Sequence, residues 1–154
     1  MSSKNLEARV SALEDIEKIK DLRHTYCYLC DDYRMDDVVS LFARGANADF
    51  HEFGQFNGNA EIAKFYKEII PEAMTFFVHM VSNPIINLID SEHATGKWYA
   101  DVPATLSGEA RWMCGRYEEK YVKEDGVWKF SEMKFFWLYE TPFDKGWVKE
   151  RLKL

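Results

Sequence analysis

The stretch Gly115-Arg116-Tyr117-Glu118-Glu119-Lys120-Tyr121, with Glu124-Asp125-Gly126-Val127-Trp128-Lys129-Phe130 close behind it, decides the fold. Alternating apolar residues on either side of an Asp-Gly pair mark a long antiparallel hairpin. Two left-handed residues in such a loop match the twist of the strands they join. Strands are therefore predicted over residues 109–122 and 127–139. Glu118, Glu119, Lys120, Lys123, Glu124 and Asp125 crowd its end and are expected to form a solvated rim. Upstream, the turn signals Asn83-Pro84, Asp90-Ser91 and Ser107-Gly108 separate further strand-like runs at 75–82, 84–89 and 94–102.

The N-terminal half has a different period. Leu6, Val10, Leu13, Ile16, Ile19, Leu22, Tyr26 and Leu29 recur three and four apart, which predicts one long helix over residues 5–32, with residues 1–12 as an N-terminal helical extension. A short helix is predicted over 35–42, and a weakly alternating strand over 47–53 that ends at Gly54. From Asn59, Ile62, Phe65, Tyr66, Ile69 and Ile70 recur helically and stop near Pro71. Helices first and strands afterwards make this an α+β chain, three helices lying on one face of a curved, mainly antiparallel sheet. Repeats, low-complexity tracts and linkers are absent, so residues 1–154 are expected to form a single domain.

Composition excludes several classes. The 154 residues include eleven Phe, eight Tyr and five Trp, which no disordered chain carries. Twenty Lys and Arg stand against 26 Asp and Glu, and a net charge of -6 lacks the basic footprint of a nucleic-acid binder. Three cysteines, an odd number, do not make a disulfide framework. Residues 1–7 lack the apolar run of a signal peptide, and no segment approaches the ~20 apolar residues of a membrane span. A cytoplasmic protein is expected, with neither metal nor cofactor.

Cys27-Tyr28-Leu29-Cys30 matches C-x-x-C, but it sits near the end of a helix, where the dipole raises a thiol pKa rather than lowering it. Both cysteines are read as buried structural thiols. Of the four histidines, His24 and His93 are expected at the surface, and His51-Glu52 lacks the rest of a zinc motif. His79 differs, since it alternates in a strand with Phe77 and Val81. Asp31 and Asp32 close the long helix at the pole that disfavours anions. Asp101 is a second carboxylate out of place, on a strand face shared with Lys97 and Tyr99. Taken singly, His79 reads as a satisfied core residue, Asp31 as the start of a turn and Asp101 as half of a surface ion pair.

Together these residues resemble the SnoaL-like branch of the nuclear transport factor 2-like superfamily. The resemblance rests on three segments: residues 16–22 leading to Tyr26 and Asp31; His79 ahead of Asn83-Pro84 and residues 94–99; and the hairpin quoted first. It runs from about Leu13 to Phe143 and is closest to the scytalone dehydratase, bile acid 7α-dehydratase and hexachlorocyclohexane dehydrochlorinase group. It implies a cone-shaped α+β barrel, with an apolar pocket between the bent sheet and its helices, and a homotrimer.

It also implies a site. In that group an Asp ending the first helix pairs with a His on a central strand, which is the general base. Asp31 and His79 fall on those positions, and Tyr26 falls where a tyrosine or lysine assists. Asp101, within a residue of an acid that one member uses, is expected to contact substrate together with Glu52, Phe77, Tyr99, Lys134 and Trp137. Trp137 stands where one member has arginine, Lys134 is adjacent to another's arginine, and Phe77 and Glu52 replace polar or phenolic groups. The expected activity is an elimination, such as a dehydration, on a small apolar, aromatic or polycyclic substrate. A polyketide cyclase, a ketosteroid-type isomerase or a non-catalytic ligand-binding module are the alternatives.

Overall fold

The structure, a computed structural model, describes residues 3–151. Helix α1 (Ser3–Asp31) leads into α2 (Met35–Ser40) and strand β1 (Phe42–Asp49). A 3-10 turn (His51–Phe53) and β2 (Gln55–Asn57) follow, then α3 (Asn59–Lys64), a π-helical segment (Phe65–Ile69) and α4 (Ile70–Ala73). The rest is β3 (Met74–Phe77), β4 (Met80–Leu88), β5 (His93–Leu106), β6 (Glu109–Glu124), β7 (Val127–Pro142) and α5 (Gly146–Lys149). The architecture is α+β: a strongly curled mixed sheet forms a half-barrel with helices packed on it.

Seven strands make that sheet, in the order β2-β1-β7-β6-β5-β3, with β4 also paired to β5. Among the described residues only β1 and β7 run parallel. The predicted hairpin is the β6–β7 pair, closing on Glu124↔Val127 with Asp125 at φ 51° and Gly126 at φ 80°. Ser107-Gly108 closes β5 and β6 in the same way, with φ 50° and 82°. Both central residues at positive φ define the tight turn that suits twisted strands.

Alternation along β5 buries Ala94, Gly96, Trp98, Ala100, Val102 and Ala104 on the concave side and leaves Lys97, Tyr99 and Asp101 on the other. Gly96 and Gly115 make room on the concave side for large rings. A Cβ on Gly96 would lie 2.6 Å from the Tyr121 hydroxyl, and one on Gly115 2.2 Å from Phe135 Cζ and 2.7 Å from the Phe136 carbonyl oxygen. The register slips beside Gly115, between the Cys114 and Gly115 pairings. Such a slip bends a strand locally.

Several elements differ from the sequence reading. The short helix ends at Ser40, and the strand begins at Phe42 rather than 47, because β1 bends at Gly45 (φ 71°) and still reaches β7. Residues 51–53 form a 3-10 turn, not strand. The third helical run passes Pro71 and stops at Ala73. Pro71 has no N–H to return to the Lys67 carbonyl, and the wider π segment accommodates that loss. The run 75–82 is two strands, interrupted at Val78-His79. Asn83-Pro84 is not a turn but an irregularity inside β4, where the register shifts between Ser82 and Ile85.

Helix α1 lies across the concave face through Ile19, Leu22, Arg23, Tyr26, Cys27 and Cys30, all buried. Leu6, Val10 and Leu13, expected to share that stripe, are exposed. Asp15 marks where the helix meets the sheet, accepting hydrogen bonds from Lys123 (2.8 Å) and the Trp128 indole (3.0 Å). Burial raises the Asp15 pKa, but those bonds and the lysine charges outweigh it and leave it below the usual carboxylate range. No helix among the described residues is long and apolar enough to cross a membrane.

Candidate active site

The last turn of α1 and the break between β3 and β4 meet at one contact. The His79 N–H, freed from strand pairing by the interruption, donates to both Asp31 oxygens at 3.0 and 3.1 Å. His79 Nδ1 lies 2.7 Å from Asp31 Oδ1. Three bonds from one residue to one carboxylate hold the imidazole in a fixed orientation. Val78 N–H takes up the Pro103 carbonyl at 3.2 Å, so the kink keeps its tie to β5.

The electrostatics define the protonation state. Burial pushes the His79 pKa below its ordinary value, although the Asp31 hydrogen bond and charge pull the other way. Near neutral pH the ring is therefore uncharged. Asp31 accepts from Nδ1–H, so the lone pair resides on Nε2, which has no hydrogen-bond partner among the described residues. This is the configuration of a general base.

His79 is one wall of an apolar cavity between the sheet and the helices. Helix α1 contributes Tyr26 and Cys30, and the segment from the 3-10 turn to α4 contributes Phe53, Phe65, Tyr66 and Ile70. The sheet supplies Met74, Phe77, Val102, Met113, Tyr117, Phe135 and Trp137. The free volume is about 70 Å³, several times the ~10–15 Å³ that one water needs. Asp31 lines an outer groove instead, with His24, Cys27, Tyr28, Val78, Val81 and the other side of His79. The imidazole thus stands between groove and cavity.

Tyr26 packs edge-on against His79, their ring centroids 6.0 Å apart. Its hydroxyl lies 2.9 Å from that of Tyr66, both buried. Burial raises both phenols well above 10. They remain protonated and serve as hydrogen-bond donors. One hydrogen is spent between them, leaving one for a ligand.

Not every expected residue reaches this cavity. Phe77 and Trp137 line it, with Asp31 behind His79. Asp101 and Tyr99 lie on the opposite face of β5, where the Tyr139 hydroxyl is 3.5 Å from Asp101 Oδ1. Glu52 is exposed on the 3-10 turn, whose Phe53 faces inward instead. Lys134 lies outside the cavity, 3.4 Å from Glu132. Among the described residues no His, Cys, Asp and Glu group is arranged to hold a metal.

Two features of the site lie outside the sequence expectations. Tyr66 recurs with Ile62 on a buried helix face, so its hydroxyl needs a partner; that signal was present. The second is Glu119, which is not on a solvated rim. It is 3% exposed and accepts a hydrogen bond from buried Arg23 at 2.7 Å and another from the Tyr121 hydroxyl. Trp98 donates to Tyr121 at 2.9 Å. The Arg23 guanidinium lies 3.6 Å from the ring centroid of Tyr117 and 4.4 Å from that of Tyr26. This network anchors the wall that Tyr26 and Tyr117 present to the cavity. Alternation with Tyr117 and Tyr121, and the place of Arg23 in the buried stripe, are the signals for it.

Comparison with known proteins places this geometry in a family. The SnoaL-like domain matches residues 11–134. The chain belongs to the SnoaL-like family. Solved structures with the same fold include a putative scytalone dehydratase from Novosphingobium aromaticivorans, at 20% identity and a TM-score of 0.81 over 88% of this chain and 91% of that one. A hexachlorocyclohexane dehydrochlorinase from Novosphingobium barchaimii is 19% identical, also at 0.81, over 88% and 94%. An NTF2-like protein with a cystatin-like fold, from N. aromaticivorans, is 20% identical at 0.71 over 96% and 94%. At these identities the likeness is one of fold, and the SnoaL-like protein's chemistry must be argued from its own side chains.

Proposed function

We propose that this SnoaL-like protein is a small-molecule lyase that eliminates water, or a comparable leaving group, from a largely apolar substrate. The observation that carries the reading is the neutral His79 held by Asp31 at the wall of an apolar cavity. His79 Nε2 takes a proton from carbon next to a carbonyl. The electron pair moves onto the carbonyl oxygen, where the free hydroxyl hydrogen of the Tyr26–Tyr66 pair stabilises it. As the enolate collapses, the C–O bond to a β-hydroxyl breaks, and the imidazolium returns its proton to the departing oxygen. Substrate becomes enone and water, and the enzyme ends as it began.

Two further observations support the reading. A dehydratase-type and a dehydrochlorinase structure share the fold, and the cavity wall is mainly aromatic and aliphatic. The free volume favours a single-ring substrate over a polycyclic one. We further propose one domain over residues 1–154, acting in a reducing compartment as a homotrimer. Exposed Phe76, Met80, Ile85 and Trp112 are apolar surface for such an assembly to cover, and the free cysteines suit such a compartment.

The test is conversion of 3-hydroxycyclohexanone to 2-cyclohexenone, a one-ring dehydration followed by absorbance. General-base catalysis is worth ~10²–10⁴-fold, so His79→Ala is expected to lose that much while its melting curve shows an intact fold. Turnover within a few-fold of the unaltered protein would remove His79 from the reaction.

A further inference from the structure

One side chain lining the cavity carries a buried donor that has no partner among the described residues and that the mechanism does not use. The donor is the indole Nε1 of Trp137 on β7. Leaving a buried donor unpaired is costly. Phe53 and Phe135 flank the indole at ring-centroid distances of 6.2 and 4.8 Å, and neither carries an acceptor. Of the phenols lining the cavity, Tyr26 and Tyr66 bond each other, and Tyr117 lies against the Arg23 guanidinium. A bound molecule can therefore supply what the indole lacks.

The position of that donor sets the shape of the molecule. Trp137 and His79 are on different walls: in the strand order, β6 and β5 separate β7 from β3 and β4. Three strand spacings amount to ~14 Å along the sheet, and curvature brings the two walls closer than that. A group at the indole is thus at the far end of a substrate whose reacting carbon lies at His79.

Resting on the lyase reading of the cavity, we infer that Trp137 anchors the substrate by donating its indole N–H to a second acceptor oxygen, so that the substrate class is a compact ring with oxygen functions at opposite ends. One oxygen receives the hydroxyl of the tyrosine pair and the other receives the indole. Mainly apolar walls between them fill the space.

The test uses 1,4-cyclohexanedione and cyclohexanone as probes on the whole protein, unaltered and as Trp137→Phe, which keeps a ring and removes the donor. Two-dimensional ¹H–¹⁵N spectra follow the indole resonance, assigned by its loss in the variant. The dione is expected to move that resonance downfield and to gain a roughly 5–10-fold affinity advantage from it, the size of one neutral hydrogen bond. In Trp137→Phe the relative advantage of dione over ketone falls by that factor. A resonance that does not move at the highest dione concentration, or a dione preference unchanged in the variant, overturns the inference. The lyase reading fails separately: a moving resonance in a protein that dehydrates nothing leaves the anchor standing and removes the reaction.

Discussion

At the scale of single residues, the basicity of the site depends on which nitrogen of His79 carries the proton. Asp31 accepts from Nδ1, and this leaves Nε2 basic. Asp31→Asn keeps an acceptor oxygen for the backbone N–H but removes the charge and offers the ring an amide donor. The tautomer is then expected to reverse, with the dehydration rate falling by ~10²-fold or more. A ¹⁵N spectrum of the ring reads the change directly: pyridine-type Nε2 in the unaltered protein, pyrrole-type in Asp31→Asn. The lowered pKa also has a stability consequence. A histidine whose folded-state pKa lies below its unfolded value of ~6.5 is more protonated when unfolded. Its contribution to stability is therefore full above pH ~6.5 and declines as pH falls through the lowered folded-state value. Asp15, also depressed, acts through the ordinary carboxylate range: its stabilisation is present above pH ~4 and is lost as pH falls through its folded-state value. Urea unfolding between pH 4 and 8 should rise in midpoint across the His79 window. His79→Gln, which does not titrate, should reduce the slope there.

At the scale of elements, the site depends on two irregularities, and both bear on what a sequence can show. The period of α1 and the alternation around Asp125-Gly126 are local patterns, so the long helix and the β6–β7 hairpin were legible, as was the α+β order. The break at Val78-His79 was not. Both residues suit a strand, and what interrupts it is the capture of the His79 N–H by Asp31, 48 positions away. Glu119, expected on the solvated rim, is buried for a related reason: Arg23, 96 positions distant, compensates its charge. The Asp31–His79 pair came from the family resemblance rather than from spacing. Face alternation puts Asp101 with Lys97 and Tyr99, and the resemblance sets Asp101 and Tyr99 against substrate; in the fold that shared face of β5 turns away from the cavity. The irregularity at Gly115 yields a stability prediction. A Cβ there meets the Phe135 ring at 2.2 Å and the Phe136 carbonyl oxygen at 2.7 Å, and backbone does not yield easily. Gly115→Ala should cost ~1–3 kcal/mol, read from urea unfolding. An unchanged midpoint would mean that the β6–β7 curl is not set by that close approach.

At the scale of the whole molecule, a buried ion pair joins α1 to the sheet beneath the site. Removing one partner of such a pair commonly costs ~3–5 kcal/mol, because the other charge remains buried. Glu119→Gln keeps the shape and leaves Arg23 uncompensated, so a loss of that order is expected in chemical denaturation, with dehydration falling as the Tyr26 wall loosens. The same frame explains why function resides at the junction: the sheet provides the apolar wall, α1 provides the acid, and the kinked edge brings the base to both. The most direct test of this account is the pH dependence of kcat/KM for dehydration of 3-hydroxycyclohexanone, measured on the unaltered protein and on His79→Ala. Since only neutral His79 accepts a proton, the rate should climb with pH along one acid limb centred below 6.5 and hold level to about pH 10, the paired phenols Tyr26 and Tyr66 titrating well above 10. In His79→Ala that limb should vanish along with nearly all of the rate. A rate that is greatest in acid, or an acid limb that persists in His79→Ala, would contradict the account.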